Sequence, residues 1–401
     1  MGTPDDLVTR LAAIPGRTAG SDAERRAARL LARELRATGR RVRVQTVWVR
    51  PSWGPVLALL CAAGIVGTVV SVDEPRIGAS ICLVALALLA GDLSGRFAVL
   101  RRLTVARATQ NLIALDERDR AVRLVITAAV DAPRSTALTA GRVARLAARL
   151  RRLLGPLAPG GFGLVAAALL LAALLGELRA HDLDENLLGI LQLLPTAVLI
   201  GAIGVALDHW TSDSGPGADA DASACAVALE LAAALDRRPP EHLSVDVVLA
   251  GAGQAHALGL SRWIDAQRRG GRRAEEVVVL HVAACGSGRP AWWTRDGLVL
   301  PLAYHPQLLE LTARVAQQEP RLGARPVQGR GRTGARAARG VGWPAIAIGC
   351  LPDGDVLAAP GRPQDTPDRV DRAAMDACRE LCLGLVDALD GELDRGLAQD
   401  D

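Results

Sequence analysis

A handful of carboxylates, a serine and two histidines in this 401-residue chain stand where side chains perform metal and proton chemistry. Asp219, Asp221 and Ser223 lie in GADADASACAVALEL (217–231), which is small and acidic at its start and becomes an apolar helix. Asp131 closes the apolar strand LVITAAVDAP, and Asp365-Thr366 stands in PGRPQDTPDRVD. His256 falls in GAGQAHALGL and His281 in VVVLHVAACGSG. Carboxylate and imidazole donors hold zinc at about 2.0–2.2 Å, and a nearby carboxylate takes a proton from metal-bound water. Each residue also has a plainer reading. Asp219, Asp221 and Ser223 suit a helix start, where they satisfy free N–H groups and face the positive dipole end. A lone histidine near a strand end is commonly a hydrogen-bonded structural residue. On a strand His281 and Ala283 project to one face. A relocated single-metal site drawn from His281, His256, Asp131, Asp219 and Asp221 is therefore the chemical alternative.

The 217–231 stretch resembles the loop-to-helix segment of the di-zinc aminopeptidases of metallopeptidase family 28 (clan MH). There a small-residue run carries Asn/Asp-Asp-Asn, then Ala/Gly-Ser-Gly, and the middle Asp bridges two zinc ions. The opening run AGSDAERRAARLLARELRATGRRVRVQTV resembles the start of the same domain. The resemblance implies a three-layer α/β/α fold with a mixed, mostly parallel sheet, a set of zinc ligands and a carboxylate base. At the bridging position this chain has Ala220, and at the His of the family's His-x-Asp it has Ala129, beside a retained Asp131. The Glu-Glu pair reads Gln254-Ala255, and the carboxylate after VVVLHVAACGSG reads Ala283, with His281 at the family's Asn. The last histidine, four residues before Asp365-Thr366, reads Gly361, and the usual Ser-Asp-His reads Thr333-Gly334-Ala335. The expectation is a pseudopeptidase with no catalytic residue, Gln254 in place of the base, and no cofactor. Zinc enters only if displaced ligands such as His281, Asp219 and His256 have taken over.

The elements that must carry these residues follow from periodicity. Residues 4–39 read as two helices, the second with Ser21 and Glu24 in capping-box spacing and Gly39 closing it. An alternating strand begins at Arg41, and two more run over Gln110–Leu115 and Val122–Val130. From 217 onward helices at about 221–236, 259–269, 305–318 and 367–392 alternate with strands at Leu243–Ala250, Val277–Ala283 and Pro344–Gly349. A Gly/Arg-rich loop is expected over 323–342. That alternation implies a sheet covered on both faces.

Two apolar hairpins interrupt this pattern. Trp53–Val72 and Ile77–Gly95 form the first, Leu153–Leu175 and Leu187–Leu207 the second, each span of about 20 residues, enough for a bilayer. A basic amphipathic helix, 139–154, suits an anionic lipid surface before the third span. The domain-side flanks hold Arg50, Arg101, Arg102 and many more arginines, whereas the hairpin turns hold only Arg76 and Arg179 among acidic residues. Arginine asymmetry places the soluble domain in the cytoplasm. Asp92 inside the second span is a functional candidate if intramembrane. Gln192 needs an interhelical partner, and Asp208-His209 read as an interfacial anchor. The organisation is thus a domain start at 1–52, a hairpin at 53–95, domain strands and the basic helix at 96–152, a hairpin at 153–207 and the remaining domain at 208–401.

Composition limits the rest. Half the residues are apolar, aromatics are 2%, mean hydropathy is +0.21 and net charge is +4, with arginine supplying every basic side chain. No basic stretch carries interleaved aromatics, so nucleic acid is not an expected partner. Seven scattered cysteines without a CxxC pair support neither a zinc ribbon nor a disulfide framework. The acidic start, MGTPDDLVTRL, does not read as a signal peptide. The expected partners are a bilayer and a protein or peptide in the emptied cleft. Peptide hydrolysis with displaced ligands, and a transport or lipid-related role with a regulatory domain, are the alternatives.

Overall fold

The computed structural model describes residues 3–94, 98–136, 160–181, 185–299, 301–329, 331, 333–353, 357 and 360–400. In chain order the elements are α1 (Pro4–Ala12), α2 (Asp22–Ala37), β1 (Val42–Val49), α3 (Gly54–Val70), α4 (Pro75–Ser94), β2 (Arg107–Ala114) and β3 (Val122–Ala129). Then come α5 (Gly161–Arg179), α6 (Glu185–Thr211), α7 (Ser223–Arg237), β4 (Leu243–Ala250), α8 (Leu258–Arg269) and β5 (Val277–Val282). The chain ends with β6 (Arg289–Asp296), β7 (Leu302–Ala303), α9 (Pro306–Gln318), β8 (Arg325–Gln328), α10 (Gly334–Arg339), β9 (Ala345–Leu351) and α11 (Arg372–Asp400).

The strands form one mixed sheet in the order β1-β2-β4-β3-β5-β9-β6-β7, with β8 beside β6. Its centre, β4-β3-β5-β9, is parallel, the β1-β2-β4 and β9-β6-β7 flanks are antiparallel, and β8 joins β6 in parallel. Every residue of β4, β5 and β9 is buried, as a parallel sheet with two covered faces requires. Alternate residues feed two cores. Leu124, Val278, Leu280 and Ile348 meet α1, α2, α7, α9 and α11, while Val125, Val279 and Ala347 meet Leu260 and Trp263 of α8 and Ala337 of α10. The expected three-layer α/β/α domain is therefore present.

The 323–342 stretch is a correction to the expected loop. It holds β8 and α10, elements too short for their periodicity to stand out, and β6 also escaped because RPAWWTRD lacks a clean alternation. The final helix starts at Arg372, after a short turn at Pro367–Arg369. Ser21 caps α2 as its spacing suggests, its Oγ accepting the Glu24 N–H at 3.0 Å. The buried Glu24 carboxylate instead reaches Gly20 N (2.7 Å), Thr109 Oγ1 (2.8 Å) and Ala252 N (2.6 Å), tying α2 to the sheet.

Among the described residues, Pro75–Ser94, Gly161–Arg179 and Asn186–Thr211 are long and apolar enough to cross a membrane. The expected first span is a shorter apolar helix of 17 residues, Gly54–Val70, and the third is described from Gly161, the expected residues 153–159 lying outside the described residues. The basic helix expected over 139–154 lies outside the described residues. The four helices pack on one another through Leu57, Leu60, Ala85, Leu169 and Leu199. They turn Val66, Val84, Leu174 and Leu194 outward. A side chain at Gly78 would lie 2.4 Å from the Gly67 carbonyl, so glycine there lets the α3 and α4 backbones touch. Gln192 finds its interhelical partners, its Nε2 donating to the Thr68 carbonyl (2.6 Å) and Ser71 Oγ (2.8 Å).

Candidate functional site

The carboxyl ends of the central strands and the turns beside them gather most of the residues singled out from the sequence. Gly217, at φ 62°, turns the chain into a single π-turn, Ala218–Ala222, that leads into α7. Its glycine is required: a Cβ would lie 2.9 Å from Asp221 Oδ2 and 3.0 Å from Arg17 Nη2. The acidic residues are spread around this turn: Asp131, Asp219 and Asp365 accept hydrogen bonds from the protein, whereas Asp221 has the Arg17 guanidinium beside Oδ2 and no hydrogen-bond partner on Oδ1.

Asp131, fully enclosed after β3, accepts the Gly253 N–H at 2.5 Å on Oδ1 and the Gln254 N–H at 3.1 Å on Oδ2. Burial, reinforced by the Glu24 charge, pushes its carboxyl up to about 8. Asp219 accepts the Gly286 N–H at 2.8 Å and the Ser287 hydroxyl. Asp365 accepts the N–H groups of Asp219 (2.7 Å) and Ala220 (3.4 Å), and burial raises it to about 6. Ser223 donates to the Asp219 carbonyl at 2.6 Å and receives the Cys285 N–H at 3.0 Å, so it is a structural staple between α7 and β5. Asp221 is completely buried, and burial raises its carboxyl well above the ordinary range against the pull of Arg17. Arg17 Nη2 lies 3.0 Å from Asp221 Oδ2 and also donates to the Pro216 carbonyl at 2.6 Å.

The histidines are elsewhere, which corrects the grouping drawn from the sequence. β5 ends at Val282, and His281 points into the core beneath α10: a Cβ on Gly334 would lie 2.7 Å from its Nδ1. Burial draws its imidazole down to about 4, so it is neutral at physiological pH. His256, at φ 62°, faces the base of the apolar helices. Its Nδ1 accepts from Arg101 Nη2 at 3.2 Å, and its ring lies 5.9 Å from Trp53 and 5.6 Å from Phe162. Arg101 in turn forms a two-pronged ion pair with Asp92 (2.6 and 2.9 Å), which accounts structurally for the acidic residue noted in the second span. His209 stacks on Trp53 at 4.1 Å.

The small residues sit tightly. A side chain on Gly253 would meet the Ala129 Cβ at 2.4 Å. Gly361 has φ 72°, and a Cβ there would lie 2.6 and 2.5 Å from the carbonyl oxygens of Pro133 and Arg134. Among the described residues, no group of three or more His, Cys, Asp or Glu side chains converges to hold a metal. Zinc needs several lone pairs directed at one point. Here the oxygens of Asp131, Asp219 and Asp365 are aimed at N–H groups and a hydroxyl, Asp221 Oδ2 faces a guanidinium while its Oδ1 stands alone, and no imidazole joins them. The residues present do not fit a zinc site.

A cavity of about 190 Å³ opens beside Asp131. Gln254, Ala255 and Asp131 line its domain side, and Trp53, Gly54, His209 and Trp210 its other side. Ala220, Ala283, Asp219 and Asp365 are not among the lining residues. Arg17 and Arg134 escaped the sequence reading because single arginines in an arginine-rich chain carry no pattern, and Arg107 stood out only as one of the arginines after the first hairpin.

Residues 202–386 match the model of peptidase family M28. The fold is that of peptidase family M28. The structure is similar to BSAP, a zinc aminopeptidase from Bacillus subtilis, at 12% identity and a TM-score of 0.54, covering 96% of this chain and 93% of that one. It is also similar to a glutaminyl cyclase from Fimbriiglobus ruber (14% identity, TM-score 0.53, 96% and 94% covered). The LapA aminopeptidase of Legionella pneumophila is similar at 11% identity and a TM-score of 0.53, with 97% and 71% covered. At such identities the likeness speaks for the fold. No curated protein matches the sequence. The M28 match begins within α6 and runs to α11, so it covers the π-turn and the later cleft residues but not Asp131.

The Asp131 environment sets a pH dependence. Its folded-state value lies above the ordinary carboxylate value, so the native state holds a proton that the unfolded chain releases. Its stabilising contribution is complete at acid pH and is lost as pH rises toward about 8. Asp131→Asn keeps an acceptor for Gly253 and Gln254 and should flatten thermal unfolding against pH over that window, by up to about 1.4 kcal/mol per pH unit. Parallel slopes for the two proteins would show that Asp131 does not titrate this way.

Proposed function

We propose that this chain is a membrane-anchored M28-fold protein that binds in its cleft rather than hydrolysing peptides, with the domain on the cytoplasmic side. The observation that carries it is the state of the four cleft carboxylates. Asp131, Asp219 and Asp365 spend their oxygens on backbone N–H and hydroxyl donors, and Asp221 is paired with Arg17. Gln254, at the position that the sequence resemblance implies for a base, cannot take a proton at neutral pH. Ala129, Ala220, Ala255 and Ala283 offer no donor atoms from their side chains. Without a metal or a base there is no activated water, so the cleft is left with shape and charge, the properties of a binding site. Arginine crowding on the domain-side flanks supports the orientation.

Metal content and hydrolysis together test this reading. Detergent-purified full-length protein should carry far less than one zinc per chain. A panel of aminoacyl and peptide amides should show no hydrolysis above blank with zinc or cobalt added. Near-stoichiometric zinc with chelator-sensitive turnover would overturn the proposal, and loss of that turnover in His281→Ala would establish displaced ligands.

A further inference from the structure

We infer that the cavity between the M28 cleft and the domain-side ends of the apolar helices binds an anionic lipid, its acidic headgroup between Arg107 and Arg134 and its chains along the helices. This deepens the binding reading and rests on the membrane anchoring proposed with it.

The walls come from both parts of the molecule. Gln254, Ala255 and Asp131 form one side, and Trp53 and Gly54 at the start of α3 with His209 and Trp210 at the end of α6 form the other. Pockets that enclose whole small ligands run to about 300–1,000 Å³. This cavity, at about 190 Å³, has room for the polar end of a ligand and not for its remainder.

The charge in it is positive. Arg107 and Arg134 both line the cavity, and among the described residues neither forms a salt bridge with a carboxylate. Arg134 uses Nη1 on the Trp210 and Ser212 carbonyls at the end of α6, and Asp213 is the acidic group that acts on it from nearby. Burial and then the neighbouring Arg107 guanidinium lower Arg134 from its ordinary value, as two cations facing one space must. Asp131 is the acidic wall residue, and burial holds it largely protonated at neutral pH. An entering anion relieves the repulsion between the two arginines.

The surroundings favour a lipid as the source of that anion. Leu103 and Val105, just before Arg107, are 77% and 71% exposed, and Trp48 and Trp210 are 67% and 50% exposed. Tryptophan and aliphatic side chains displayed beside arginines at the ends of apolar helices are the composition of a membrane–water interface. A soluble anion would need no such collar.

The test uses the full-length chain in neutral detergent, with tryptophan quenching by brominated-chain phosphatidylglycerol or phosphatidylcholine. Phosphatidylglycerol should reach half-quenching at an at least tenfold lower mole fraction, roughly what two arginines near an anionic surface supply. Arg107→Glu, an exposed change that should leave thermal unfolding intact, should erase the preference, and Arg107→Lys should keep most of it. Equal quenching by the two lipids, or a preference that survives Arg107→Glu, would overturn the inference. So would reversal of quenching by millimolar inorganic phosphate, which would make the site one for a free anion. Zinc and hydrolysis measured on the same sample separate the two readings. A zinc-free, inactive protein with no lipid preference sinks this inference alone. A zinc-loaded hydrolase sinks the binding reading itself.

Discussion

Arg17→Met should lower the unfolding free energy of this protein by about 3–5 kcal/mol, the usual consequence of stripping one member from a buried ion pair. Both side chains of the Arg17–Asp221 pair are wholly shielded from solvent. Arg17 also ties its own turn to two separated segments through the carbonyls of Val130 and of the adjacent Pro216 and Gly217. Methionine fills most of the volume but returns neither the charge nor those bonds. Asp221, already beside Asp131 and Asp365, must then be protonated to stay folded. The deficit should therefore grow with pH, because the unfolded chain releases that proton above the ordinary carboxylate range while the folded chain cannot. Fluorescence-detected thermal unfolding across pH measures both effects. A loss below about 1 kcal/mol, flat with pH, would mean that the pair is structurally idle.

The Asp92–Arg101 pair should behave in the same sense at the other end of the cleft. It is 7% exposed on each side chain, and Arg101 bridges the last turn of α4 to His256 in the loop after β4. Either Asp92→Leu or Arg101→Met alone should cost about 3–5 kcal/mol and loosen the domain from its helices, whereas the double replacement should recover most of the loss. Limited proteolysis next to unfolding midpoints distinguishes detachment from global instability. Additive losses in the double variant would show that the two residues act separately.

Much of this architecture was legible in the sequence, because long parallel strands and apolar helices write strong periodicities. β4 is bounded correctly at both ends, since its mostly apolar run, interrupted only by Ser244 and Asp246, lies between turn signals. β8 and α10 were hidden in a run of Gly and Arg, where four or six residues are too few for a period to show. The cleft carboxylates were found from their place beside strand ends. Their partners were not, because backbone N–H groups leave no mark in a sequence. Strand parity puts His281 on the face of Ala283, yet parity fixes only the face, and that face belongs to α10. Arg17 had no pattern at all: an isolated arginine in a turn gains meaning only when the fold brings Asp221 to it.

The backbone at Gly361 bears on how such a protein can change over generations. With φ at 72° and two carbonyl oxygens within 2.6 Å of where a Cβ would be, no single codon change can introduce an imidazole there without rebuilding the loop. An imidazole delivered to this place in the fold would need an inserted or deleted residue rather than a point substitution.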